Sequence, residues 1–93
     1  MSNKADFYDK LKIQLADTTD FPADYLYKFI VPTTENQVAE VESIFNNLGA
    51  VITKKKSKTG KYVSVSILVN LKSANDVIVY YKKAAVIKEI ISL

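Results

Sequence analysis

The chain contains no cysteine, no histidine and no arginine, and each absence removes a class of chemistry. Without cysteine there are no disulfides, thiolate metal sites, iron–sulfur clusters or thiol nucleophiles, a composition that fits a reducing cytoplasm. Without histidine there is no imidazole to act as a general base near neutral pH, to ligate zinc or to switch with pH. All thirteen basic residues are lysine, so no guanidinium can clamp a phosphate or carboxylate with two parallel hydrogen bonds. Long apolar runs are missing as well: none approaches the ~18 residues of a membrane span. The N-terminal stretch alternates charged and apolar side chains (Asp6, Phe7, Tyr8, Asp9, Lys10, Leu11) instead of carrying the apolar centre of a secretory signal. The expectation is a non-enzymatic, cytoplasmic protein that holds no cofactor or metal and does not enter a membrane.

What remains is the composition of one small folded domain. The chain has 93 residues, 48% of them hydrophobic and 25% charged, too apolar for intrinsic disorder and short enough for a single modest core. Its net charge is +3, unevenly spread. Residues 1–24 carry three lysines and five acids, a balance of −2, whereas residues 25–93 carry ten lysines and five acids, a balance of +5.

Residues 1–24 read as an N-terminal helix and connector, and residues 25–93 as the domain proper. Phe7, Leu11 and Leu15, with Tyr8 beside them, predict a short helix over 5–16. Asp17 to Asp24 is rich in turn formers and contains Pro22. Tyr25–Val31 is dense in aromatic and β-branched residues and stops at Pro32, as a strand does. Thr34 with Gln37 is a capping-box pattern. Val38, Val41, Ile44, Phe45 and Leu48 follow at helical spacing, and Gly49 suits the left-handed residue past a helix end, so a helix over 35–48 is predicted. Ala50–Lys56 reads as a second strand and Ser57-Lys58-Thr59-Gly60 as a hairpin turn. Alternation runs unbroken through the ten residues Tyr62–Leu71. Val63, Val65, Ile67, Val69 and Leu71 face one way; Tyr62, Ser64, Ser66, Leu68 and Asn70 face the other. Ser73 with Asp76 opens a second helix to about Ala84, and Val86–Leu93 closes as a β-rich segment.

The order of the domain is therefore β-α-β-β-α-β. Right-handed crossovers put both helices on one face of a four-stranded antiparallel sheet in the order 4-1-3-2, the α+β ferredoxin-like sandwich. Its expected core is Tyr27, Phe29, Val31, Val38, Val41, Phe45, Leu48, Val63, Val65, Ile67, Val69 and Val77. The opposite face carries Lys28, Ser64, Ser66 and Asn70, with Leu26, Ile30 and Leu68 among them.

Lys54, Lys55, Lys56, Lys58 and Lys61 place five lysines within eight residues. Such a cluster suits an anion site, and suits better an edge strand protected against aggregation, since the net charge is only +3 and no arginine backs the lysines. An RNA-recognition platform needs stacking aromatics on the exposed face. Here Tyr25, Tyr27 and Phe29 are in phase with Val31 under the helices, so nucleic acid is disfavoured and a weak single-stranded nucleic-acid-binding module is the alternative reading. Other chemistries of this shape fail on residues. There is no arginine for an acylphosphatase-like loop and no CxxC for metal carriage. Pro32-Thr33-Thr34 has no glycine and no GxGxxG cradle, and Glu40 and Glu42 point to different sides of their helix. The candidate binding residues are Lys28, Lys58, Gly60, Lys61, Tyr62, Ser64 and Ser66: lysines supply charge, serines supply neutral donors, and a positive φ at Gly60 suits a small backbone anion nest. A regulatory or adaptor domain is expected, binding a protein partner or small anion, with self-association as a dimer through a sheet face or edge.

FPADYLYKFIV, then SKTGKYVSVSI and a β-rich C-terminus, resembles the YbeD-like family, a bacterial family of unknown function, over about residues 21–93. Phe21-Pro22, Tyr27-Lys28, Ser57, Gly60, Tyr62 and the Ser64-Val65-Ser66-Ile67 run carry the match. The resemblance implies an ACT-like fold and no established reaction, and it transfers no ligand residue by residue. The extension over residues 1–20 departs from the family pattern.

Overall fold

The computed structural model describes residues 4–93; the first three residues of the N-terminal segment lie outside the described residues. The elements in chain order are α1 (Lys4–Thr18), β1 (Ala23–Pro32), α2 (Gln37–Phe45), β2 (Val51–Lys56), β3 (Tyr62–Leu71), α3 (Ala74–Ala85) and β4 (Ile91–Ser92). The four strands form one antiparallel sheet in the order β2-β3-β1-β4, the predicted order counted from the other edge. It is the ferredoxin-like arrangement, with α1 added beside α3.

Alternation in β1 and β3 decides which side the helices take. The two strands pair along their whole length, Ala23 opposite Leu71 through Pro32 opposite Tyr62. Directly opposed residues share a face, so Tyr27, Phe29 and Val31 lie over Ile67, Val65 and Val63. All six are buried, with Val41 and Phe45 from α2 and Val77 and Ile78 from α3 above them. The centre is aromatic. The Tyr27 ring lies 5.1 Å from Phe45 and 4.8 Å from both Tyr25 and Tyr81. Buried phenols require partners: the Tyr27 hydroxyl donates to the Val77 carbonyl at 2.8 Å, and the Tyr25 and Tyr81 hydroxyls meet at 2.8 Å.

The structure corrects several sequence expectations. Val38 and Leu48 are half-buried at the margin of the core, while Leu71, Ala74, Ala84 and Ile87 belong inside it. In α1 the inward side is Tyr8, Leu11 and Leu15, and Phe7 is 61% exposed. Tyr8 reaches α3, stacking on Tyr81 at 6.5 Å with Lys82 Nζ 5.6 Å from its ring centroid. The capping box at Thr34 does not form: Asn36 occupies the N-cap position, and Gln37 Oε1 accepts from the Glu35 N–H instead. Ser73, by contrast, caps α3 as predicted by accepting from the Asp76 N–H at 3.2 Å. Val86–Leu93 is mostly not strand. Two successive turns, Ile87 N–H to Ala84 O and Ile90 N–H to Ile87 O, and a left-handed Glu89 at φ 60° bring the chain to β1, where Ile91 and Ser92 pair and the Leu93 N–H donates to Lys28 O at 2.9 Å.

Two expectations follow from this packing. Phe45→Ala empties the site between the two helices and the sheet and should cost about 3–5 kcal/mol, a large fraction of a small domain's stability; chemical denaturation measures it. Burial pushes the Tyr27 phenol well above its ordinary value of 10, and burial followed by the Tyr25 hydrogen bond does the same for Tyr81. A raised folded-state pKa means their contribution is intact below the unfolded value and falls as pH rises through the folded one. Melting scans from about pH 8 to about pH 11 should therefore show stability dropping above pH 10. Tyr27→Phe should be about 1 kcal/mol less stable near neutrality and show a shallower alkaline decline.

Candidate functional site: the open sheet face and the lysine hairpin

With three helices on one side, the other side of the sheet faces solvent. Register places its residues in rows. Val51, Leu68 and Leu26 align across β2, β3 and β1; Thr53, Ser66 and Lys28 form the next row; Lys55, Ser64, Ile30 and Ile91 the next. Among the described residues nine large apolar side chains are exposed, and Leu26, Val51, Tyr62, Leu68 and Ile91 are five of them. Singly exposed apolar residues are ordinary, but their concentration on one face makes it the candidate contact surface.

At the hairpin end this face hollows into an open groove of about 520 Å³ lined by Ile30, Lys55, Lys56, Ser57, Lys58, Tyr62 and Ser64. The turn beside it is rigidly bonded. Gly60 adopts φ +74°, its N–H donates to Ser57 O at 3.0 Å, and Ser57 N–H donates to Tyr62 O at 2.8 Å. Ser57 Oγ accepts from Tyr62 N–H at 3.2 Å. Thr33 ties the loop after β1 to the same turn, its N–H on Lys61 O and its Oγ1 on Gly60 O. The predicted left-handed glycine is present, yet its N–H is occupied inside the turn, so the expected anion nest is not built from it. The groove's polarity comes from side chains.

Of the predicted site residues, Lys58, Tyr62 and Ser64 come together in the groove. Lys28 and Ser66 are opposed in the neighbouring row of the same face. Gly60 shapes the turn, and Lys61 is exposed outside the groove lining. Ile30 and Ser57 were not among the expected binding residues, and Lys55 and Lys56 were named in the lysine cluster without being placed on this face. Lys55 was recoverable once the turn fixed it opposite Ser64, because opposed residues share a face. Lys54 points the other way and pairs with Glu42 of α2 at 3.1 Å. Among the described residues no ion pair engages Lys55, Lys56, Lys58 or Lys61, so a net positive field remains at this end of the sheet. These groups give the groove apolar side chains, Ile30 and Tyr62, beside three lysines, Lys55, Lys56 and Lys58.

The family model described as protein of unknown function (DUF493) matches residues 16–91, which take in β1, α2, β2, β3 and α3, the first residue of β4 and only the end of α1. No curated protein and no solved structure matches the chain.

The lysines around the groove should be dispensable for folding. Lys54→Gln removes an exposed ion pair and should cost less than about 1 kcal/mol, and Lys58→Gln should leave the thermal midpoint unchanged, as differential scanning fluorimetry would show.

Proposed function

The chain belongs to the YbeD-like DUF493 family of proteins of unknown function, and from that premise we propose that it is a non-enzymatic, ACT-like regulatory or adaptor domain that binds an acidic protein partner, or a small anion, on its open sheet face. The observation that supports this reading most is the groove in which Lys55, Lys56 and Lys58 ring an apolar floor of Ile30 and Tyr62. It adjoins the apolar row of Leu26, Leu68 and Val51. A partner with a carboxylate beside apolar side chains matches both parts, and such contacts steer association as well as hold it. A cytoplasmic setting goes with the reading, supported by the lack of cysteine. Among the described residues no helix is long and apolar enough to cross a membrane.

Single-stranded nucleic acid is the weaker reading. Base stacking on a sheet of this kind uses several exposed aromatics, whereas Tyr25, Tyr27 and Phe29 lie on the helix side and Tyr62 alone represents the aromatics on the open face. A second copy is the further alternative and would use the apolar row, because pairing β2 with β2 would give its lysines no acidic partner.

One titration separates these readings. The purified protein is mixed with a fluorescent glutamate-rich peptide containing valines, and separately with a single-stranded oligonucleotide of the same charge, at rising salt. The proposal expects peptide binding that weakens with salt and falls about tenfold in the Lys55→Gln/Lys58→Gln double variant, about 1.4 kcal/mol for two exposed charge contacts. Tighter binding of the oligonucleotide, with the same lysine dependence, would favour the nucleic-acid reading. Equal peptide binding by parent and variant would remove the groove from the site.

A further inference from the structure

The groove opens directly onto a free sheet edge. β2 is the terminal strand of the order β2-β3-β1-β4, and Lys55 and Lys56 belong both to this edge and, with Ser57 of the turn, to the groove lining. The ladder fixes which backbone groups it offers. Ser57 N–H donates to Tyr62 O, and the same register pairs Lys55 with Ser64, Thr53 with Ser66 and Val51 with Leu68. In an antiparallel ladder, alternate residues bond to alternate neighbours. Val51, Thr53 and Lys55 therefore turn their N–H and C=O groups toward β3, and Ile52, Lys54 and Lys56 turn theirs outward.

An unpaired edge of this length invites strand addition, and its side chains select what can add. A second copy is matched less well: in the two-fold antiparallel pairing that overlaps the outward groups of both edges, Lys54 opposes its own equivalent while Lys55 and Lys56 oppose Thr53 and Ile52, so one like-charge pair forms and no lysine gains an acidic partner. An acidic strand is selected for. Lys55 lies on the open face, Lys54 lies on the helix face, where Glu42 offsets it, and Lys56, at the end of the strand, reaches the groove lining beside the turn. Acidic side chains on both faces of an added strand thus find lysines beside them. At the other end of β2, Val51 is 63% exposed and Ile52 is half-buried, which suits apolar residues.

We propose that the edge of β2 receives an extended acidic segment of a partner protein as a fifth strand, with an acidic tract beside Lys54–Lys56 and apolar residues beside Val51 and Ile52. The inference rests on the functional reading above and deepens it: the partner is held by main-chain hydrogen bonds to Ile52, Lys54 and Lys56, and the groove takes a side chain from the same segment.

A capped hexapeptide of three glutamates followed by threonine, isoleucine and valine is the probe. Two backbone-methylated forms carry the same charge and side chains, one methylated at its third and fifth residues and the other at its second and fourth. In an added strand one of these sets faces β2 and the other faces solvent. The expected result is that one methylated form loses about tenfold or more in affinity, the equivalent of two hydrogen bonds, while the other binds as the parent peptide does. Amide hydrogen exchange should slow at Ile52, Lys54 and Lys56 on binding, with Thr53 and Lys55 unchanged. Equal affinity for all three peptides, or no slowing at those three amides, would overturn strand addition while leaving lysine-dependent groove binding intact. If the hexapeptide does not bind at low salt, strand addition is overturned. The functional reading then falls with it only if the longer glutamate-rich peptide also fails to bind.

Discussion

The architecture depends on the one-sided apolar face of the two central strands. Tyr27, Phe29 and Val31 on β1 and Val63, Val65 and Ile67 on β3 stack on the same side because they are opposed in register. That surface must be covered, and α2 and α3 cover it, with α1 packed against α3. Burying a large aromatic side chain is worth several times a surface contact, so the helices have no competing reason to cross the sheet. The other side is left with serines, lysines and a scatter of aliphatic residues. Openness of this face is thus a consequence of where the aromatics went, and the binding surface is defined by exclusion before any ligand is considered.

Charge then gives that surface its character. Lysine is a compact, strongly hydrated point charge that holds an anion without fixing its geometry. A site made of lysines, serines and one tyrosine, with no arginine and no histidine in the chain, is suited to reversible, salt-sensitive contact and gains its specificity from shape and from the backbone. The groove supplies the shape, since Ile30 and Tyr62 give it an apolar floor. The outward amides of β2 supply directional hydrogen bonds. Both meet at Lys55 and Lys56, where the edge and the groove share residues.

Much of the fold was legible because periodicity reports burial directly. The unbroken alternation of Tyr62–Leu71 carried both the strand and its orientation, and Ser73 with Asp76 carried a helix start that formed as expected. The failures have physical causes. Val86–Leu93 is rich in β-branched residues, yet the chain must first turn back from α3 to the edge of β1, and that geometry overrides propensity in all but Ile91 and Ser92. Thr34 lost its capping role because Gln37, 1% exposed, is drawn inward and bonds Glu35 instead. The site was half legible: Lys58, Tyr62 and Ser64 followed from alternation and the turn. Ile30, Lys55 and Lys56 required the register between strands, which a single sequence does not encode locally. The family match over residues 16–91 agrees with the resemblance carried by the hairpin and the strand after it.

A soluble paramagnetic probe tests the one-sided account most directly, by reporting which methyl groups meet solvent in the isolated protein. The account predicts strong relaxation of the Leu26, Ile30, Val51, Leu68 and Ile91 methyls and protection of Val31, Val65, Ile67 and Val77. Protection of Leu26 and Leu68 at concentrations where the chain is monomeric would contradict it, because the face assigned to partners would then be closed by the protein itself.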